Sequence, residues 1–270
     1  MRICVIGSGG LVGSRLSKDL SATHEIIELN RTNGDVVNMD IEMLAGQLGH
    51  VDCIVNCAAL LDQNDIENLL TTNALGALNV AKLSVLLKAK LIHLSSVSCE
   101  QHPKNEYFGP YGISKLTGEH LIKDYLESKT SEYCIVRCSQ IYDLEGKAYR
   151  SQPFFYNLLN NANKNGQVTL YGNKNVVRNY VSLDTVVKSI GYIAENKVEK
   201  FGYILGKNVS MTELIDKISE SLEEKVEVNW DKDKDSLKTI YIPELCCEFS
   251  RQFETDLIND IKEIIYREAY

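Results

Sequence analysis

The sequence predicts an α/β fold, a doubly wound parallel sheet followed by a small C-terminal lobe. Two observations carry this expectation. Short apolar runs alternate with helix-length segments through the first half of the chain, the signature of βαβ units. The first of these runs ends in a glycine-punctuated turn, Gly7-Ser8-Gly9-Gly10-Leu11-Val12-Gly13, which opens a helical pattern.

Taken in order, the expected strands are 2–6, 25–29, 52–56, 90–95 and 133–138, and the expected helices are 11–21, 63–70, 72–88 and 111–128. Parallel strands need a long crossover between them, and each helical segment supplies one. In such sheets, ligands bind beyond the carboxyl ends of the strands. Gly7, Asn30, Ala58, Ser96 and Ser139 each fall just after an expected strand, so they converge on one edge. Beyond residue 145 the pattern loosens into a tyrosine- and asparagine-rich stretch, Tyr149 to Asn175. A strand-like run at 179–182, a helix from Leu183 and a further strand at 201–205 follow, and the last third is helix-rich and charged. No repeat or flexible linker interrupts the chain, so the lobes should share an interface. The expected boundaries assign 1–145 and 178–205 to a dinucleotide-binding domain, with 146–177 and 206–270 forming the second lobe.

Composition narrows the function classes. Hydrophobic residues at 44% and charged residues at 24% are ordinary for a soluble globular protein. A formal charge of -8 argues against general affinity for nucleic acid or an anionic membrane, while leaving room for a local basic pocket. The N-terminus runs straight into an apolar strand without a secretory pattern. No apolar run is expected to reach the roughly 20 residues that span a bilayer. The eight cysteines, at 4, 53, 57, 99, 134, 138, 246 and 247, show no paired zinc spacing, and several sit inside apolar runs. A cytoplasmic, reduced protein is expected. His93, His102 and His120 lack a second ligand at metal spacing, so no metal site is expected.

The turn after the first strand does not fit GxGxxG, because Val12 stands at its last position. It fits G-x-x-G-x-x-G through Gly7, Gly10 and Gly13, which allows a tight turn and backbone N–H groups close to a pyrophosphate. At the end of the second strand, where NAD binders place a carboxylate for the ribose 2′-hydroxyl, the chain reads Asn30-Arg31. An arginine can pair with a 2′-phosphate, so NADP(H) is favoured over NAD(H). A two-residue shift in register would present Glu28 instead.

Further along, Ser95-Ser96 closes a strand, and Tyr111-Gly112-Ile113-Ser114-Lys115 places a phenol one helical turn from an ammonium. A phenol with a pKa near 10 exchanges protons poorly at neutral pH unless a cation stabilises its phenolate, a field that Lys115 can supply.

In their order and spacing these residues resemble the extended short-chain dehydrogenase/reductase family, in its nucleotide-sugar epimerase, dehydratase and reductase branch. The resemblance runs along most of the chain. It takes in Gly7–Gly13, Asp40-Ile41, Asn56-Cys57-Ala58-Ala59, Asn73, His93-Leu94-Ser95-Ser96, Tyr111–Lys115, Arg137–Tyr142, Leu170-Tyr171-Gly172 and Arg178–Asp184. It implies a Rossmann fold whose second lobe binds substrate, and a catalytic set of Ser96, Tyr111 and Lys115. Ser95 and Ser98 stand as alternatives to Ser96. The implied cofactor-binding residues are Gly7, Gly10, Leu11, Val12, Gly13, Asn30, Arg31, Asp40, Ile41, Ala58, Ala59, Asn73, Tyr111 and Lys115. The implied substrate contacts are Ser96, Gln140, Tyr142 and Arg178, with Tyr149 and Arg150 as lesser candidates. Helices 72–88 and 111–128 match those that pair family dimers, which implies a homodimer.

The family's dehydratases carry an Asp-Glu pair directly after the active-site hydroxyl, and here Val97 and Ser98 stand instead. Members that epimerise and reduce use a cysteine at the position of Ser98, whereas here the cysteine is Cys99, one residue later. The expected activity is therefore an NADPH-dependent 4-keto-sugar reductase acting on a nucleotide sugar. An NAD-dependent 4-epimerase is the alternative, and a non-catalytic NADP-binding sensor or assembly protein is the reading from another class.

Overall fold

The structure is a computed structural model and describes residues 1–101, 104–173, 175–243 and 247–267. Cys246 and His102 lie outside the described residues. Its centre is a six-stranded sheet in the order β2-β1-β3-β4-β5-β9, formed by β1 (Arg2–Ile6), β2 (Glu25–Leu29), β3 (Cys53–Asn56), β4 (Lys90–Ser96), β5 (Tyr133–Cys138) and β9 (Phe201–Ile204). Every pairing in it is parallel. Its middle strands are apolar on both faces because helices cover both, which is why their sequences read as continuous apolar runs.

On one face lie α1 (Leu11–Leu20) and α7 (Leu183–Glu195), packed over Ile3, Val5, Val55 and Val136. On the other lie α2 (Ile41–Leu48), α4 (Gly76–Leu87) and α5 (Pro110–Glu127), over Cys4, Ile54, Leu91 and Ile135. The short α3 (Ile66–Leu70) runs through a π-helical turn, Thr71–Leu75, directly into α4. The continuous helix Ile66–Leu87, 22 residues, is long and apolar enough by length and composition to cross a bilayer, which amends the expectation that no run reaches that length. Half of it is buried inside the protein. Cys4, Cys53, Cys57, Cys99, Cys134 and Cys138 are free thiols.

The second lobe has its own core. Here α6 (Pro153–Asn165), α8 (Met211–Leu222) and α9 (Leu257–Tyr266) bury Phe155, Tyr156, Leu159, Leu214, Ile218, Ile261 and Ile264 together. A parallel pair, β7 (Gln167–Tyr171) with β11 (Glu227–Asp231), flanks that core. A three-stranded sheet, β10-β8-β6, joins the lobes through β6 (Gln140–Tyr142), β8 (Val177–Ser182) and β10 (Lys207–Ser210). A later segment returns to the first lobe, where Ile240 and Ile242 pack on Val97, Tyr203 and Leu205.

Helix α5 is set by two close approaches. A Cβ at Gly112 would stand 2.2 Å from the Ser98 carbonyl oxygen, and one at Gly118 would stand 2.4 Å from that of Asn73. In an exposed helix interior, Gly→Ala stabilises by roughly 1 kcal/mol. At Gly118 the sign reverses: Gly118→Ala should destabilise by about 1–3 kcal/mol through overpacking. Chemical denaturation checks this, with a lower midpoint at unchanged slope expected.

Candidate active site

The carboxyl ends of β1, β3, β4 and β5 open into a cleft made of two adjoining cavities that share Gly10, Cys57 and Ala59. The first, about 610 Å³, is lined by the glycine turn, Asn30, Arg31, Thr32, Asp35, Val36 and Ala58. The second, about 480 Å³, is lined by Leu11, Val12, Gly13, Ser96, Tyr107, Tyr111, Lys115, Gln140, Arg150, Gln152 and Ile240, among others.

The turn's geometry accounts for its glycines. Gly7 has φ +84°, and a Cβ there would lie 2.7 Å from the Ala58 nitrogen. A Cβ at Gly13 would lie 2.3 Å from the Gly7 carbonyl oxygen. Gly10 is the N-cap of α1 and offers no side-chain cap, so the helix's first N–H groups are left for an anion. These features fit a pyrophosphate.

At the far end of the first cavity, Leu29 closes β2 opposite Ile6, which puts Asn30 directly after the strand. Glu28 lies within β2 and does not line the cleft, so the alternative register is not realised. Asn30 Oδ1 accepts from the Thr32 N–H at 2.9 Å and closes the turn. Arg31 is exposed beside it and makes no ion pair among the described residues. Asp35, which the sequence reading did not single out, also lines this cavity, and its carboxylate accepts from the Val37 N–H and the Asn38 amide. Asp40 and Ile41, implied by the resemblance as cofactor contacts, do not line the cleft. Asp40 caps α2 instead, accepting from the Met43 N–H at 3.0 Å, and Ile41 begins that helix. Asn73 is buried beneath the cleft wall, where it bonds both the N–H and the carbonyl of Leu60 and donates to Ser114 Oγ at 3.0 Å.

In the second cavity, Ser96 and Tyr111 line the same wall, close enough for the serine hydroxyl to act on the phenol. Ser96 Oγ is held in turn by the Ser98 N–H at 3.1 Å. Ser98 Oγ lies 3.0 Å from Ser96 Oγ, whereas the Ser95 hydroxyl donates away from this pair to the Glu119 carboxylate. Burial pushes the Tyr111 phenol up, and the Ser96 hydroxyl acts in the opposite sense. Lys115 stands one turn along α5, but its Nζ is directed at the sheet, donating to the Leu94 carbonyl at 2.6 Å and standing 3.4 Å from His93 Nε2. The sequence-based expectation that Lys115 stabilises the phenolate is thus not what shifts Tyr111 in this geometry. Burial lowers the lysine itself.

Behind the serines lies an ion-pair network that the sequence reading missed. Arg137 grips Glu119 at 2.6 Å and 2.9 Å and Glu100 at 2.5 Å, and the Tyr203 hydroxyl donates to Glu100 at 2.7 Å. Removing one partner would leave a buried charge, at a cost of about 3–5 kcal/mol. The available signal was Glu119, one helical turn past Lys115 on the same face.

Of the expected substrate contacts, Gln140 lines the cavity and donates to Gln152 at 2.9 Å. Tyr142 does not line it. Its ring is buried against Phe155 in the second lobe and its hydroxyl donates to Asp260 at 2.6 Å, because a large ring next to an apolar core gains more by packing there. Arg178 is buried, with its guanidinium 5.2 Å from the ring of the cavity residue Tyr107, and its Nε and Nη1 have no hydrogen-bond partner among the described residues. Buried unpartnered guanidinium nitrogens suit a ligand anion. Tyr149 bonds Asn157 at 3.0 Å outside the cavity, while Arg150 lines it.

A nucleotide turn, a Ser/Tyr pair and a buried lysine at one sheet edge define an oxidoreductase of the extended short-chain dehydrogenase/reductase type. The sequence matches the model of the NAD dependent epimerase/dehydratase family over residues 3–206, and the chain belongs to that family. A Methanocaldococcus jannaschii protein named "Putative UDP-glucose 4-epimerase" is 28% identical across 97% of this chain and 97% of its own. In fold the chain is similar to UDP-glucuronic acid 4-epimerase from Bacillus cereus, solved with UDP-glucuronic acid and NAD, at TM-score 0.77 and 18% identity over all of both chains. It is also similar to dTDP-4-dehydrorhamnose reductase from Bacillus anthracis, solved with NADP, at TM-score 0.71 and 20% identity over 86% of this chain and 84% of that one. The protein is accordingly an enzyme that uses a nicotinamide dinucleotide.

Proposed function

We propose that the protein is an NADPH-dependent 4-keto reductase of a nucleotide-activated sugar. The observation that carries the reading is the position of Arg31, an exposed cation without an ion pair among the described residues, which lines the cleft just beyond β2, next to Asn30 in place of a carboxylate. A 2′-phosphate pairs with such a guanidinium, whereas a carboxylate would repel it. Gly7, Gly10, Leu11, Val12 and Gly13 would hold the pyrophosphate against the start of α1, and Ala58 and Ala59 would flank it. When bound, the dinucleotide supplies the hydride.

The chain's own residues handle the proton. Ser96 orients the keto oxygen, and Tyr111 passes its phenolic proton to that oxygen as hydride reaches the same carbon. The burial that pushes the phenol up keeps it protonated and ready to donate in this direction. Lys115 would hold the nicotinamide ribose, and in its charged form it would ease loss of the proton from Tyr111. Arg178 would receive the substrate's phosphates and Gln140 its sugar.

A second reading is supported by a separate observation. Asp35 shares the first cavity with Arg31, and the M. jannaschii relative that covers nearly the whole chain carries the name of a 4-epimerase. An epimerase would retain NAD and return hydride to the other sugar face. We place the enzyme in the cytoplasm, in keeping with its free thiols, and read it as a homodimer. Leu75, Leu86 and Ile113 are about half exposed on the helices expected to pair.

Tyr111→Phe should retain cofactor binding and lose turnover by roughly 10²–10⁴-fold. Steady-state rates with 4-keto nucleotide sugars beside a binding titration check this, and near-normal turnover would remove the assignment. Arg31→Ala should weaken NADPH about 10–100-fold while leaving NADH nearly unchanged. Equal losses, or NAD retained through purification, would shift the reading to the epimerase. Sedimentation should show a dimer that Leu75→Glu dissociates, and a wild-type monomer would reject that part.

A further inference from the structure

His93 is a buried titratable side chain with no part in the proton exchange above. It stands on β4 at 1% exposure, between Asn56 at the end of β3 and Lys115 on α5. Asn56 Nδ2 lies 3.1 Å from His93 Nδ1, and Lys115 Nζ lies 3.4 Å from His93 Nε2.

The roles of these atoms follow from one fixed donor. The Ala58 backbone N–H can only donate, and it lies 3.1 Å from Asn56 Oδ1. That contact orients the Asn56 amide and leaves Nδ2, itself only a donor, facing the imidazole. His93 Nδ1 must then offer its lone pair, so the neutral ring carries its proton on Nε2. Burial holds the ring neutral by pushing it well below the usual histidine range, and whenever Lys115 is charged that charge acts in the same sense.

Nε2–H therefore points at Lys115 Nζ, which already gives one hydrogen to the Leu94 carbonyl at 2.6 Å. An ammonium there meets the imidazole donor to donor. A neutral amine accepts from Nε2–H and keeps its bond to Leu94, so only the amine has every contact satisfied.

We propose that Asn56 and His93 form a positioning pair for Lys115, presenting an N–H to Nζ so that the lysine carries its charge only when an acceptor in the cleft claims its hydrogens. The other groups around Nζ are Cys57 after β3, Cys99 after β4, Cys138 at the end of β5, and Tyr111 and Glu119 on α5. Burial pushes Cys57 to about 12 and Cys99 to about 11, and raises Cys138 as well, so these thiols are uncharged at neutral pH. Tyr111 is likewise neutral, and Glu119 is taken up by Arg137. Glu119 still acts upward on Lys115 across the network, but burial is the largest influence and acts in the same downward sense as the His93 N–H.

The catalytic consequence rests on the reductase reading, but the proton arrangement does not, so the first two measurements are made on the ligand-free protein. Long-range ¹H–¹⁵N correlation of the His93 ring should show a protonated Nε2 and a bare Nδ1. The opposite tautomer or an imidazolium at neutral pH would overturn the proposal. In ¹³C-lysine-labelled protein, His93→Phe should raise the Lys115 titration midpoint by about one pH unit, because the charged form is no longer opposed. An unchanged midpoint would overturn it equally. Should the Phe variant not fold, Asn56→Asp tests the same point. Its carboxylate can only accept, so it favours the ring with the hydrogen on Nδ1 and inverts the tautomer signature, and failure to invert counts against the proposal. With a 4-keto nucleotide sugar as substrate, the alkaline limb of kcat/KM should move upward with the lysine midpoint in His93→Phe. Absence of any turnover would fault the reductase reading and leave the two spectroscopic results to decide the pair.

Discussion

The hydrogen bond from Lys115 Nζ to the Leu94 carbonyl is the tie on which the catalytic end of the molecule depends. It joins the interior of α5 to the end of β4 at a depth where water does not compete, and a buried polar contact of this kind is costly to lose. Helix α5 can come that close only because Gly112 and Gly118 allow backbone to touch backbone at Ser98 and Asn73. Once the helix is seated, Tyr111 emerges next to Ser96 without further adjustment. The phenol–hydroxyl pair is thus a product of helix-to-sheet packing more than of any local loop geometry.

Around that tie the sheet acts as a collector. Five strand ends deliver a glycine turn, a cation, a pair of alanines, a serine and a glutamine to one rim, and the second lobe closes the rim from the other side. The Arg137–Glu119–Glu100 network stiffens the segment after β4 from behind. Ser96 is therefore positioned by ion pairs it does not itself touch, since Ser95 bonds Glu119 on one side while Ser98 braces the Ser96 hydroxyl on the other.

Much of the first half was legible in the sequence, because its strands are buried on both faces and its helices follow in strict alternation. The five expected strands and the long α5 appear within a residue or two of their expected bounds. The second lobe was less legible. Helix α6 is rich in asparagine, a weak helix former, and it holds through Phe155, Tyr156 and Leu159 packed on partners some sixty to a hundred positions away. The pairing of β7 with β11 is equally non-local. At the site, Asp40 shows how one residue type serves two purposes, because an aspartate before an apolar run is also a helix cap. The surroundings of Lys115 were out of reach for a related reason. His93 and Asn56 are 22 and 59 residues earlier in the chain, and only the sheet brings them under the helix.

The two ends of the cleft differ in how freely they can change. At one end every group is wedged: glycines leave no room for a methyl, and the lysine, histidine and asparagine hold one another in place. At the other, the Arg31 side chain stands in solvent on a short turn, beside an acid of opposite sign. Descent with modification could therefore exchange one dinucleotide for the other by substitutions in that turn alone, while the chemistry at the opposite end is inherited unchanged. On the proposed reading, cofactor choice would rest on an exposed turn and proton handling on groups locked in the interior.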